Sequence, residues 1–279
     1  PFFQKLKLLY EVESIGTTAT SLPEDKNLEA LVIIHPKNVS DELQFAIDQY
    51  LLGGGKLFIA VDPSSWIDQY ANGNLPQNLP IGGFQMPNRI DANSDLEKLF
   101  GAWGVNYDKT RVLADLGANV PMPKLGEYPA WIRVIGKEQI KENDFIPSND
   151  LLLFMESGFF TLSEGNDLSL TPLVQASSSA GILPTSLLPR TQSLYPQYPF
   201  DPFQINPRSL ISIRSQVSSL NASIEKSSDG KRHTIGGILT GKFKTAFPDG
   251  KPGDAATAGK DTNETLKEGQ SEVVLFTDF

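Results

Sequence analysis

The sequence predicts an α/β protein with a mostly parallel, open sheet and helices on both faces of that sheet. Two stretches of the N-terminal half support this fold class. Residues 31–62 have the pattern strand, helix, strand, and residues 94–115 have the pattern helix, strand. Alternating strands and helices are typical of open parallel sheets, because each crossover helix returns the chain to the same end of the sheet.

The unit over 31–62 carries the clearest pattern in the chain. "LVIIH" (Leu31–His35) is a continuous apolar run, as in a strand that is buried on both faces. Ser40 is placed to cap a helix with an apolar face, and the glycine triplet Gly53–Gly55 ends that helix. "KLFIAVD" (Lys56–Asp62) is the next strand, so we expect a βαβ crossover.

The segments that flank this unit extend the same pattern. "YEVESI" (Tyr10–Ile15) alternates between polar and apolar residues as a strand does. Ser94 and Glu97 have the spacing of a capping box in front of a second helix. "RVLAD" (Arg111–Asp115) then predicts another parallel strand.

The pattern changes after residue 116, where proline becomes frequent. We expect one domain over 1–279, with a regular core in 1–116, irregular insertions and additional strands in 117–272, and a final strand in 273–279. The proline-rich stretch 180–207 is expected to be a long excursion with apolar anchors.

Composition excludes several classes of function. The net charge of −9 argues against nucleic acid or an anionic lipid surface as a partner. The chain has no cysteine and only two histidines, which excludes thiolate catalysis and leaves too few ligands for a zinc site. We expect no metal and no cofactor. No apolar run reaches the roughly 18 residues of a membrane span, and both ends look cut, so we expect a fragment of a longer protein.

Two glycine-containing motifs resemble phosphate-binding loops but have the wrong context. Gly53–Gly55 end a helix and precede a strand, which is the reverse of a phosphate cradle. Gly236, Gly241 and Lys242 match the spacing of a P-loop, but Phe243 stands where the magnesium-binding hydroxyl belongs. We interpret the first as a turn and the second as part of a strand.

Polar residues close several of the predicted strands. His35, Asp62 and Asp115 each follow an apolar run, and Ser64 and Ser65 come directly after Asp62. Ligands of open α/β sheets bind beyond the carboxyl ends of the strands, so these five residues are the candidate ligand-binding crevice. Asp278 follows the final strand in the same way.

Two other interpretations of these residues stay open. His35, Asp62 and Ser64 supply the residue types of a hydrolase triad, although the chain has no G-x-S-x-G motif. Proline and serine are also common in ordinary turns at strand ends, where they serve the backbone alone.

The sequence resembles a family of membrane transport components. The resemblance rests on "LVIIHPKNVSDELQFAIDQYLLGGGKLFIAVDPSS", "LEKLFGAWGV", "VLAD", "YPAWIRV" and the C-terminal "VVLFTDF". These stretches are similar to auxiliary proteins of uncharacterised ABC transport systems, among which the GldG-type gliding-motility proteins are the named members.

That resemblance implies an extracytoplasmic domain on the periplasmic side of the bacterial inner membrane. Transmembrane helices outside this chain would anchor the domain beside a separate permease and a separate ATPase. The implied fold is similar to flavodoxin and to class I glutamine amidotransferases, without the enzymatic apparatus.

We therefore expect a non-enzymatic domain that binds a partner or a small ligand such as a sugar or peptide. The alternatives are a small-molecule hydrolase that uses the strand-end crevice and a structural scaffold that docks the permease.

Overall fold

The structure is a computed structural model that describes residues 2–23, 28–68, 91–122, 126–143, 146–147, 150–188, 210–253 and 265–278. The helices α1–α4 are Phe2–Leu6, Asp41–Leu52, Glu97–Trp103 and Leu210–Ser227. The strands β1–β12 are Ala30–Ile34, Lys56–Val61, Val105–Asn106, Arg111–Asp115, Asn119–Met122, Gly126–Ile135, Leu151–Met155, Thr161–Leu162, Leu168–Gln175, Ala180–Pro184, Thr234–Lys244 and Glu268–Thr277.

A mixed five-stranded sheet forms the centre, with the strand order β1-β2-β12-β11-β9. The strands β1, β2 and β12 run parallel, and Leu57 of β2 pairs with both Leu31 and Val273. The strands β11 and β9 continue the sheet in antiparallel pairs. The prediction of an α/β protein is confirmed. Most strand pairs in the described chain are antiparallel, so the prediction of a mostly parallel, flavodoxin-like sheet is not confirmed.

The βαβ unit has the predicted form. The strands β1 and β2 pair in parallel on either side of α2 in sequence. The Ser40 side chain caps α2 by accepting a hydrogen bond from the Leu43 N–H at 3.1 Å. The helix ends at Gly53, and Gly54 has a φ of +92°, a conformation that glycine adopts without strain. The glycine triplet is therefore the predicted turn into β2.

Four local predictions are wrong. Residues 10–15 form no strand, and Tyr10 is largely exposed. Ser94 does not cap α3, because its hydroxyl accepts the Asp62 N–H instead. The strand β4 pairs in antiparallel fashion with β10 in a separate two-stranded sheet. That pairing makes 180–184 a strand rather than part of an excursion, while 189–207 lie outside the described residues.

The two faces of the central sheet are covered by different layers. Along β12, Val273 and Leu275 face the cluster that contains α2 and α3, whereas Val274 and Phe276 pack against the opposite cluster. That opposite cluster includes Ile132 of β6, from the three-stranded sheet β5-β6-β7. Helix α4 packs on β10 and β6 instead of on the central sheet. In the described chain the second face is thus covered by strands, so the prediction of helices on both faces is wrong.

Gly269 provides a test of how β12 sits against α2. A Cβ atom at this position would lie 2.0 Å from the backbone oxygen of Leu52, whereas a Cβ atom at Gly101 in α3 would meet nothing within 4 Å. We expect Gly269→Ala to lower the free energy of unfolding by about 1–3 kcal/mol through overpacking. The control Gly101→Ala is expected to raise it by about 0.5–1 kcal/mol, because alanine is favoured over glycine inside a helix. Urea unfolding followed by circular dichroism measures both, and an unchanged Gly269→Ala midpoint would contradict the packing.

Candidate functional site

The carboxyl ends of the three parallel strands lie side by side. The His35 N–H donates to the Ala60 oxygen, and the Asp278 N–H donates to the Val61 oxygen, both at 2.8 Å. His35, Asp62 and Asp278 therefore follow β1, β2 and β12 at one edge of the sheet. The end of β7 joins this edge, because the Met155 N–H donates to the carboxylate of Asp278.

The backbone around this edge is strained. His35, Asn38, Glu156 and Asp278 have φ values of +48°, +51°, +58° and +88°, and they are the four non-glycine residues with positive φ in the described chain. Three of the four directly follow the last residue of a strand. Each such conformation costs about 1–3 kcal/mol and persists only where the surrounding contacts enforce it. Strain of this kind clusters at functional sites and at tightly determined junctions.

A buried hydrogen-bond network connects the two sheets at this edge. Asp62 is 6% exposed, and its carboxylate accepts the Ser64 N–H at 2.8 Å. The Ser64 hydroxyl donates to Glu156 Oε2 at 2.5 Å. The Tyr128 hydroxyl donates to Glu156 Oε1 at 2.7 Å, so the Glu156 carboxylate has a partner on each oxygen. We call Asp62, Ser64, Glu156 and Tyr128 the strand-end network.

Negative charge is concentrated around Asp62. Burial raises the pKa of Asp62 well above its ordinary value of 3.8, and the charges of Asp278, Glu156 and Asp68 raise it further. The hydrogen bond from the Ser64 backbone acts in the opposite direction without reversing the shift. Asp62 therefore keeps its proton to a higher pH than an exposed aspartate does.

Three charged or titratable side chains form the solvent-facing part of the edge. His35 Nε2 lies 2.9 Å from Asp68 Oδ2, and the Lys37 ammonium also donates to that oxygen. Their side chains are 22%, 29% and 23% exposed for His35, Lys37 and Asp68. Burial alone would raise the pKa of Asp68, but the hydrogen bonds from Lys37 and His35 outweigh it and hold the pKa below its usual value.

Ser65 and Asp115 are buried and hydrogen-bonded within the protein. The Ser65 N–H donates to Ala92 at 2.7 Å, and Ser65 Oγ accepts the Asp68 N–H at 3.3 Å. Asp115 ends β4 in the separate two-stranded sheet, and its carboxylate accepts both the N–H and the hydroxyl of Ser177, at 2.7 and 2.6 Å. The structure thus brings His35, Asp62, Ser64 and Ser65 to one edge, whereas Asp115 anchors a turn on the separate sheet.

The predicted residues Ser64 and His35 do not form a serine–histidine pair. A hydrolase triad requires the serine hydroxyl to donate to histidine, which in turn is held by a carboxylate. Here Ser64 donates to Glu156, and His35 pairs with Asp68. Among the described residues, no group of three or more histidine and carboxylate side chains is arranged to hold a metal ion. The P-loop-like stretch 236–243 lies within β11, which pairs with β12 over this stretch and with β9 as far as Gly241.

A cavity of about 370 Å³ is lined by residues of α3 and β3 and by Phe159 and Thr161. Its lining includes the aromatic side chains Phe100, Tyr107 and Phe159 and the carboxylates Asp95 and Asp108. Burial raises the pKa of the Tyr107 hydroxyl well above 10, and the nearby charge of Asp62 adds to that shift. The volume is within the range of small-molecule sites.

Sequence reasoning missed four members of this site: Glu156, Tyr128, Asp68 and Lys37. Glu156 follows the apolar strand "LLLFM" just as Asp62 follows "KLFIAV", so the strand-end signal was present. The other three carry no such signal. Tyr128 lies within a strand, Lys37 lies in the turn after β1, and Asp68 lies in the helical residues 66–68 that follow the turn after β2.

The fold and this edge define an α/β domain with a mixed sheet and a buried polar junction at its parallel strand ends. Over residues 1–278 the chain matches the family described as "ABC-type uncharacterized transport system", and it belongs to that family. The chain is therefore an auxiliary protein of an ABC-type transport system, which confirms the broader resemblance seen in the sequence. A search of curated proteins and a search of solved structures gave no significant match. Across the described residues, no helix has both the length and the apolar character needed to cross a membrane.

The raised pKa of Asp62 predicts a pH dependence of stability. A group that binds its proton more tightly in the folded state stabilises the fold most at low pH. We expect the contribution of Asp62 to the free energy of unfolding to be lost as the pH rises above 3.8 and through the raised pKa of the folded state. Asp62→Asn has no charge to bury. The difference between its thermal unfolding midpoint and that of the native protein should therefore become more favourable to the variant as the pH increases.

Asp167→Asn is the matched control with the opposite sign. Asp167 is fully exposed, and its hydrogen bond from Lys244 lowers its pKa. Its contribution to stability is present above the unfolded pKa and is lost as the pH falls. If the native protein and Asp62→Asn show the same pH dependence, Asp62 is not the buried acid described here.

Proposed function

We propose that this chain is a non-enzymatic, extracytoplasmic binding domain of an ABC-type transport complex. In this proposal the domain lies on the periplasmic side of the bacterial inner membrane and works with a separate permease and a separate ATPase. The single observation that carries the proposal is the family match, which extends over residues 1–278. The narrower GldG-type role in gliding motility belongs to the proposal, and the sequence resemblance supports it.

The bonding at the strand ends favours binding over catalysis. The Ser64 hydroxyl and the Glu156 carboxylate are hydrogen-bonded to each other inside the protein, where both residues are buried. A nucleophile needs an adjacent base and access to substrate, and Ser64 is 6% exposed with its proton directed at Glu156. Ser64 therefore has a carboxylate beside it, but its burial opposes the access that the hydrolase alternative requires.

Within the candidate crevice, the accessible groups are those at its outer edge. His35 is the member of the predicted set with a substantially exposed side chain, and Lys37 and Asp68 adjoin it. A small ligand such as a sugar or peptide would meet these three side chains before it met the buried Asp62.

Co-purification tests the proposed partnership. The natural full-length protein is tagged in its own host, extracted from membranes in mild detergent and analysed by mass spectrometry. We expect a permease and an ATPase of the ABC type to co-purify, and a tagged unrelated periplasmic protein is the control for background. Recovery of the tagged protein without either subunit would contradict the proposal.

A serine variant separates binding from hydrolysis. We expect Ser64→Ala to lower the free energy of unfolding by about 1–3 kcal/mol, because Glu156 loses a buried donor. Neither the native protein nor the variant should cleave a panel of ester and glycoside substrates. The exposed serine variant Ser219→Ala controls for stability. Turnover by the native protein that disappears in Ser64→Ala, with turnover kept in Ser219→Ala, would establish the hydrolase alternative.

A further inference from the structure

The strand β7 lies at an edge of its sheet. Among the strands that the structure describes, it pairs only with β6, within the three-stranded sheet β5-β6-β7. The hydrogen bond from the Glu156 N–H to the Ala130 oxygen fixes which residues of β7 bond to β6. Because bonded and non-bonded pairs alternate along an antiparallel ladder, Leu152 and Phe154 point their backbone groups toward β6. The backbone N–H and C=O groups of Leu151 and Leu153 therefore point away from β6.

Two other contacts agree with this assignment. The Met155 N–H donates to Asp278 on the side away from β6. On β6, the Arg133 N–H donates to the Ala118 oxygen on the side away from β7. Both residues occupy the non-bonded positions of the β6–β7 ladder, as the alternation requires.

The side chains at this edge are apolar and exposed. Leu151 is 61% exposed and Leu153 is 50% exposed, and their neighbour Ile135 on β6 is 52% exposed. An edge strand is usually protected by a charge, a proline or a bulge. The segment "LLLFM" contains no charged residue, no proline and no glycine. An open backbone edge and exposed leucines thus coincide on the same strand.

We propose that this edge pairs with β7 of a second copy of the chain. Antiparallel pairing about a two-fold axis that passes between the two copies of Leu152 places Leu151 opposite Leu153 of the other copy, and Leu153 opposite Leu151. This register forms four backbone hydrogen bonds and does not use the Met155 N–H, which is already bonded to Asp278. The two three-stranded sheets become one six-stranded sheet.

Charge and side-chain pattern favour a second copy over an unrelated strand. The exposed leucines are two residues apart, so the two-fold register places each opposite an identical side chain type. The strand β7 contains no charged residue, so two copies of it do not repel each other. Arg133 is the charged residue in the part of β6 that pairs with β7, and it is exposed. The two copies of Arg133 would be at least three strand spacings apart, about 14 Å or more. Repulsion over that distance is screened at 0.1 M salt, where the Debye length is about 10 Å.

Sedimentation velocity over a range of concentrations tests the pairing. A single strand pair makes a small interface, so we expect reversible dimers whose fraction rises with concentration. Leu153→Lys should abolish the dimer, because a lysine on an edge strand opposes pairing. Leu187→Lys is the matched control, because Leu187 is 46% exposed in a different part of the chain. This variant should dimerise as the native protein does. Circular dichroism and thermal unfolding verify that both variants are folded.

Cysteine cross-linking tests the register independently of stability. The chain has no cysteine, so an introduced thiol has no competitor. A mixture of Leu151→Cys and Leu153→Cys should form a disulfide-linked heterodimer in preference to either homodimer, because the two positions face each other across the axis. Equal cross-linking in all combinations would overturn the register.

Three outcomes would overturn the proposal itself. The native protein could remain monomeric at every concentration. It could form dimers that Leu153→Lys leaves intact, which would place the interface on another surface. The native protein could also be monomeric while Leu153→Lys fails to co-purify a subunit that the native protein retains. In that case a strand of that subunit pairs with the edge of β7.

Discussion

The hydrogen bond from Ser64 to Glu156 is the contact on which the strand-end edge depends. It joins the turn after β2 to the residue after β7, and so it connects the central sheet to the sheet that covers its second face. Glu156 is 1% exposed, and a buried carboxylate is tolerated only where its oxygens are hydrogen-bonded. Ser64 and Tyr128 meet that requirement, and the left-handed backbone of Glu156 is the conformational cost of the arrangement. The hydrogen bonds that the buried Glu156 carboxylate requires therefore hold both sheets in position at this edge.

The same contact divides the edge into an inner and an outer part. Asp62, Ser64 and Glu156 are buried and bonded to the protein itself. His35 and Lys37 share Asp68 at the surface, where a ligand or partner could exchange places with water. An auxiliary transport protein that binds without catalysis is compatible with this division, since binding needs an accessible surface on a rigid support. The open edge of β7 is a second accessible surface, on the layer that the buried acid holds in place.

The sequence predicts what is local and misses what is distant. The unit β1-α2-β2, the Ser40 cap and the glycine turn follow from signals within about thirty residues, and they place His35 and Asp62 at one edge. The insertion of β12 between β2 and β11 joins residues about 200 positions apart, and no periodicity specifies such a pairing. Ser94 shows the competition directly. Its spacing to Glu97 indicates a cap, but the buried Asp62 N–H takes the hydroxyl instead.

A double-mutant cycle on Ser64 and Glu156 measures the central contact most directly. The free energies of unfolding of Ser64→Ala, Glu156→Ala and the double variant are compared with that of the native protein in urea. If the two residues hold the sheets together through their shared hydrogen bond, the double variant loses less than the sum of the single losses, with a coupling of about 0.5–3 kcal/mol. Losses that add to within about 0.5 kcal/mol would contradict this account, because the two side chains would then act independently.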